Sequence, residues 1–232
     1  MKYQLSRVAL SPGLRLLARP EVFGIESVPE TGGAILASNH LSLLDSIYLP
    51  LMLDRPVTFA AKSEYFTGTR PIERIAGAYL RATKQLSVDR AGARAAQEML
   101  EAALGLLRQG VLFGIYPEGT RSPDGRLYRG RTGIGWLALH SGVPVIPVAM
   151  VGTDKILPPG HKVPRPGRIQ VRIGKPLLFD EYRDKPAGAR QRRAVTDQVV
   201  EAIHQLSGQD YVPMYASVRK EQLATAERDA AT

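Results

Sequence analysis

Histidine and aspartate stand five positions apart in Asn39-His40-Leu41-Ser42-Leu43-Leu44-Asp45, just past the short apolar run Ala34-Ile35-Leu36-Ala37. An imidazole that takes a proton from an alcohol needs a partner to hold its tautomer and stabilise its charged form. A carboxylate one short loop away is placed to be that partner. A second polar stretch, Tyr116-Pro117-Glu118-Gly119-Thr120-Arg121-Ser122, also follows an apolar run, Val111-Leu112-Phe113-Gly114-Ile115. Two more runs end in charge: Val57-Thr58-Phe59-Ala60 leads into Lys62, and Gln85-Leu86-Ser87-Val88 into Asp89-Arg90. Lys62, Arg90 and Arg121 could together hold one phosphate, the arginines as bidentate forks and the lysine as a point charge. Gly119 removes a side chain, so backbone can approach a ligand closely. The chemistry this suggests is proton abstraction from a hydroxyl on a phosphorylated molecule.

Those groups can act together only if the strands before them end at one edge. The pattern predicts strands at Val22–Ile25, Ala34–Ala37, Val57–Ala60, Gln85–Arg90, Val111–Ile115, Val143–Val151 and Ile169–Ile173. Helices are predicted over Ser46–Leu53, Pro71–Tyr79, Ala93–Arg108, Arg131–His140 and Arg192–Leu206, with Gly110 and Gly142 as stop signals. Strands alternating with helices argue for a single α/β layered domain, a largely parallel or mixed central sheet flanked by helices. In open sheets of this kind ligands bind outside the carboxyl ends of the strands. The domain is expected over residues 21–216. Residues 1–20 carry Lys2, Arg7, Arg15 and Arg19 and no acid, and read as a short basic amphipathic segment. Such a segment can lie in an anionic bilayer interface or pack on the domain as an ordinary helix. Residues 217–232 hold little apolar content and are expected to be a mobile tail.

Composition limits the partners. At 232 residues and 44% apolar content the chain is long enough for one real core. It has no cysteine, so disulfides, thiolate nucleophiles and sulfur-based zinc sites are out, and no metal cluster is legible. Its formal charge of +9 suggests an anionic partner: nucleic acid, an acidic membrane surface or a phosphorylated substrate. Nucleic acid is the weakest of these, because only 6% of residues are aromatic and no basic run is interleaved with them. No stretch reaches the roughly 18 uninterrupted apolar residues of a membrane-spanning helix, and the basic, proline-broken N-terminus does not read as a signal peptide.

Taken singly, each candidate has an ordinary explanation. A lone histidine is often a hydrogen-bonded structural residue. Asp45 could be a helix N-terminal acid, Gly119 a turn glycine, and Glu118 with Arg121 an exposed ion pair. Four such segments at one sheet edge are the stronger observation.

The chain resembles the lysophosphatidic acid acyltransferase family of the glycerolphosphate acyltransferase superfamily. His40 and Asp45 match its block of His, four residues, then Asp. Ser87-Val88-Asp89-Arg90 is similar to its second block. Tyr116-Pro117-Glu118-Gly119-Thr120-Arg121-Ser122 matches its third, usually written with Phe first. Val143-Pro144-Val145-Ile146-Pro147-Val148 matches its apolar fourth. The likeness spans roughly residues 20–175 and implies acyl transfer from a thioester, acyl-CoA or acyl carrier protein, to a hydroxyl of lysophosphatidic acid. It implies His40 as base, Asp45 as its orienting partner, and Lys62, Arg90, Glu118, Gly119, Thr120 and Arg121 around the acceptor phosphate. No cofactor is expected. A cytoplasmic protein, peripheral on the inner face of the cell membrane, is expected from the lipid substrate and the missing signal. Glycerol 3-phosphate or another lysolipid or glycolipid stays open as acceptor. A serine hydrolase using Ser38, Ser42 or Ser46 lacks the Gly-x-Ser-x-Gly elbow. A basic lipid-binding module without catalysis leaves His40 and Asp45 without purpose.

Overall fold

A computed structural model describes residues 12–64, 74, 77, 80–81, 84–88, 92–161, 163–182 and 187–230, without the side chains of Lys62, Ala93, Glu227 and Ala230. The chain opens with helix α1 (residues 12–18), β1 (Glu21–Phe23), β2 (Ala34–Ser38), α2 (Asp45–Met52), β3 (Val57–Lys62) and β4 (Leu86–Val88). It continues with α3 (Gly92–Arg108), β5 (Leu112–Ile115), β6 (Leu127–Tyr128), α4 (Gly133–Ser141), β7 (Val145–Val151) and α5 (Thr153–Ile156). It closes with β8 (Gln170–Ile173), α6 (Ala189–Ser207), β9 (Tyr211–Val212) and α7 (Ala216–Ala230).

Seven strands form one mixed sheet in the order β1-β8-β7-β2-β5-β3-β4. β2, β3, β4, β5 and β7 run parallel to one another, and β8 is antiparallel to β7. The α/β expectation holds. Alternate residues along each strand serve opposite faces. Ala34 and Leu36 of β2, Leu112 of β5 and Ile146, Val148 and Met150 of β7 pack beneath α1 and α2. Ile35 and Ala37, Phe113 and Val145 pack on the other face under α3, α4 and α6. In α3 the buried residues are Leu100, Ala103, Leu104 and Leu107, the i, i+3, i+4, i+7 stripe of a helix with one face on a core.

Pro147 sits inside β7, where a proline withholds one ladder hydrogen bond. On the β8 side it falls between the bridge Val145–Leu177 and the ladder that starts at Val148–Ile173, so its missing N–H leaves no pair broken there.

Of the basic N-terminal segment, residues 12–18 are described as the helix α1. Leu14 and Leu17 pack on the core and Ala18 is fully buried. Tyr48 donates its hydroxyl proton to the Leu14 carbonyl at 2.8 Å. Leu16 stays 79% exposed beside Arg15. The expected helix over Pro71–Tyr79 and the pair Asp89-Arg90 lie outside the described residues. No described helix is long and apolar enough to cross a membrane.

Residues from 217 onward, expected as a mobile tail, instead carry α7. Its residues are good helix formers, and the turn before it is anchored by contacts that apolar content does not register. Arg129 and Arg131 lie 5.7 and 5.3 Å from the centroid of the Tyr215 ring, Arg131 Nη2 donates to Ser217 Oγ at 3.1 Å, and Ala216 is fully buried.

Candidate active site

The register of the sheet brings the polar loops together. Ala37 of β2 lies between Ile115 of β5 and Pro147 of β7, so the loops after these three strands leave the same edge. The loop after β2 is wound around one carboxylate. Asp45 is fully buried at the start of α2, and its Oδ2 accepts from the backbone N–H groups of Leu41 and Ser42 at 2.7 and 2.8 Å. The same oxygen lies 2.9 Å from His40 Nδ1, while Oδ1 accepts from the Thr153 hydroxyl at 2.5 Å. An ionised carboxylate only accepts, so Nδ1 carries the proton of that contact and the neutral ring has its lone pair on Nε2.

The face of the His40 ring is held as well. Tyr116 stacks on it with centroids 3.8 Å apart and planes 8° apart, and Phe59 stacks on Tyr116 at 5.3 Å. The tyrosine that stands where the family pattern has phenylalanine uses its hydroxyl: Ser46 Oγ lies 2.7 Å away. Gly114 makes room for the stack, since a Cβ there would lie 2.3 Å from the Phe59 ring.

Glu118 is buried behind the loops rather than open to a ligand. Its carboxylate accepts the His40 backbone N–H at 3.1 Å and the Tyr128 N–H at 3.0 Å, and Ser122 N–H returns to the His40 carbonyl at 2.7 Å. The third block thereby clamps the His40 loop. Burial pushes the Glu118 carboxyl up to about 8, against the two N–H bonds that favour its charged form. Gly119 turns at φ +73°, a left-handed conformation that disfavours any side chain, and its N–H closes the turn onto the Tyr116 carbonyl at 2.9 Å. Thr120 and Arg121 follow, half-buried. Arg121 forms no ion pair with a carboxylate among the described residues. Of the other two expected cations, Lys62 ends β3 with its side chain outside the described residues, and Arg90 lies wholly outside them.

A cavity of about 570 Å³ opens at His40. Its walls are mostly apolar, with Phe59, Ala60, Val88, Ala96, Met99 and Ile115 among them; Gly119 and Arg131 also line it. Its size is that of a small-molecule site. Among the described residues no cluster of His, Asp or Glu could hold a metal ion.

Several participants were not legible as site residues. Thr153, 108 positions from Asp45, fixes its second oxygen. Asn39, fully buried, exchanges hydrogen bonds with the backbone of Met150 and donates to Gln209 Oε1. Arg131 reaches the cavity, and Lys220 of α7 donates to Thr120 Oγ1 at 2.7 Å. The serines considered as nucleophiles are engaged elsewhere. Ser38 and Ser42 are fully buried, Ser42 Oγ donates to the Leu157 carbonyl, and Ser46 meets Tyr116.

Comparison with known proteins gives the chain its relatives. The family described as Acyltransferase matches residues 19–151. The chain is 32% identical over 178 residues to a chloroplastic 1-acyl-sn-glycerol-3-phosphate acyltransferase of Brassica napus, covering 73% of this chain and 50% of that protein. It is 27% identical over 206 residues to the 1-acyl-sn-glycerol-3-phosphate acyltransferase of Bacillus subtilis, covering 88% and 96%. The crystal structure of the 1-acyl-sn-glycerophosphate acyltransferase of Thermotoga maritima superimposes with a TM-score of 0.64 at 28% identity, over 88% of this chain and 78% of that one. The chain spans about half the length of the plant relatives it matches.

Proposed function

The chain belongs to the acyltransferase family, and from that premise we propose that it transfers a fatty acyl group from a thioester to a hydroxyl of lysophosphatidic acid, giving phosphatidic acid. The observation that carries this reading is a His40–Asp45 pair in which His40 lines a mostly apolar cavity, with the loop that carries the half-buried Arg121 tied to the His40 carbonyl through the Ser122 N–H. His40 Nε2 takes the proton of the acceptor hydroxyl as the oxygen attacks the thioester carbonyl carbon. The new C–O bond forms, the C–S bond breaks, and the imidazolium returns the proton to the departing thiolate. Asp45 stabilises the imidazolium in between. A thioester is already activated, so no enzyme nucleophile is required, and the chain has no cysteine to supply one.

The acyl chain occupies the apolar cavity, and the acceptor phosphate lies against Arg121 and Thr120. Holding both reactants converts a two-body encounter into an oriented one, worth about 7–11 kcal/mol at the upper limit. The donor is acyl-CoA or acyl carrier protein. The protein works on the cytoplasmic, anionic face of the cell membrane, a reading supported by the net charge of +9 and by the exposed Leu16 next to Arg15 on α1.

The test is mass spectrometry of purified protein mixed with anionic vesicles bearing lysophosphatidic acid, and with palmitoyl-CoA or palmitoyl-acyl carrier protein. Phosphatidic acid is the expected product, and the protein sediments with the vesicles. Free palmitate as the sole product contradicts transfer, and protein left in the supernatant contradicts the surface location. A parallel reaction on glycerol 3-phosphate decides between the two phosphorylated acceptors.

A further inference from the structure

Lys220 lies 100 positions beyond Thr120 and outside the segment matched by the family, yet its Nζ donates to Thr120 Oγ1. Its place is built rather than incidental. β9 pairs with β6, the Arg129 N–H donates to the Met214 carbonyl at 3.0 Å, and Arg219 Nε sits 3.6 Å from Asp124 Oδ2. Those contacts deliver the first turns of α7 to the loop that holds Glu118, Thr120 and Arg121.

The charges gathered there are unbalanced. The Lys220 ammonium is held below its ordinary range first by burial and then by the neighbouring Arg121 guanidinium, with Glu118 acting the other way. Glu118 compensates poorly. It is 1% exposed, its oxygens already accept two backbone N–H groups, and burial favours its neutral form near pH 7. Among the described residues neither Lys220 nor Arg121 forms an ion pair with a carboxylate. Two like charges, half-buried and near enough to repel each other, are costly and are relieved by an anion that meets both.

We propose that Lys220 is a second phosphate-binding residue of the acceptor site, contributed by the C-terminal helix and acting with Arg121 on the phosphate of lysophosphatidic acid. By donating to Thr120 Oγ1 it also turns that hydroxyl's own proton away from α7, so Thr120 offers the phosphate a third donor. The inference rests on the acyl-transfer reading for its substrate, but its test also has an arm without turnover.

Initial-rate kinetics compare lysophosphatidic acid with monoacylglycerol, which is the same acceptor without phosphate, in wild type, Lys220→Met and Lys220→Arg. Lys220→Met is expected to raise KM for lysophosphatidic acid about tenfold or more, as loss of one charge-assisted contact does. Its KM for monoacylglycerol and for the thioester stays unchanged, and Lys220→Arg recovers most of the loss. The second arm titrates glycerol 3-phosphate into wild type and Lys220→Met by calorimetry, with melting curves to establish that both are folded. Weaker binding by the variant supports the proposal even if the wild type fails to acylate lysophosphatidic acid, a failure that would count against the acyl-transfer reading alone. Equal affinity in the titration, equal KM changes on both acceptors, or a rise confined to the thioester donor would overturn it.

Discussion

Asp45 does more at the residue scale than face a histidine. Four donors converge on its two oxygens: two backbone N–H groups, the His40 ring and the Thr153 hydroxyl. Those bonds repay part of the cost of burying a charge and hold the loop in the shape that aims Nε2 outward. Asp45→Asn is informative because a turned amide keeps an oxygen for the three donors on one side and sets its NH₂ against Thr153, whose hydroxyl can accept. The expected result is a protein that melts within a few degrees of wild type, with kcat reduced roughly 10²-fold or more because the imidazolium has lost its counter-charge. Unchanged turnover in the folded variant would show that the carboxylate only shapes the loop. The His40–Asp45 relation was legible in the sequence because a strand end and a short loop fix it locally. The Thr153 contact was not, since nothing in local pattern links residues 108 positions apart.

At the scale of elements, the site is an edge where strand ends and one helix meet. The parallel strands were readable from their apolar runs, and with them the convergence of the loops after β2 and β5. Their reach was less so: β3 extends to Lys62 and β7 starts at Val145, because pairing partners and not propensity set the ends. The helix α7 escaped notice because its anchors are polar and aromatic contacts to a distant loop. Glu118 ties two elements, the His40 loop and β6, and its burial makes that tie depend on pH. Its carboxyl titrates near 8 in the fold against 4.5 for the ordinary group. Between those values the folded protein keeps a proton that the unfolded chain has released. Stability from this group is therefore fully present below the window and falls as pH rises through it. Calorimetric melting temperature should decline from pH 5 to pH 8, and Glu118→Gln, which cannot ionise, should show a shallower slope. Parallel slopes in the two proteins would rule out Glu118 as the source.

The molecule as a whole joins a mostly apolar cavity to a basic exterior, with a net charge of +9. That division suits a reaction whose acyl chain must leave water while its phosphate meets cations. One three-layered domain supplies both, the cavity from β3, β4, β5 and α3, the cations from the loop after β5 and from α7. The central claim is that His40 is the base of an acyl transfer, and the most direct measurement of it is phosphatidic acid formation by wild type and His40→Ala at saturating lysophosphatidic acid and palmitoyl-CoA, with circular dichroism on both. Wild type should form phosphatidic acid, and the variant should keep the fold and lose about 10²- to 10⁴-fold in kcat. A folded His40→Ala protein that turns over at the wild-type rate would contradict the account.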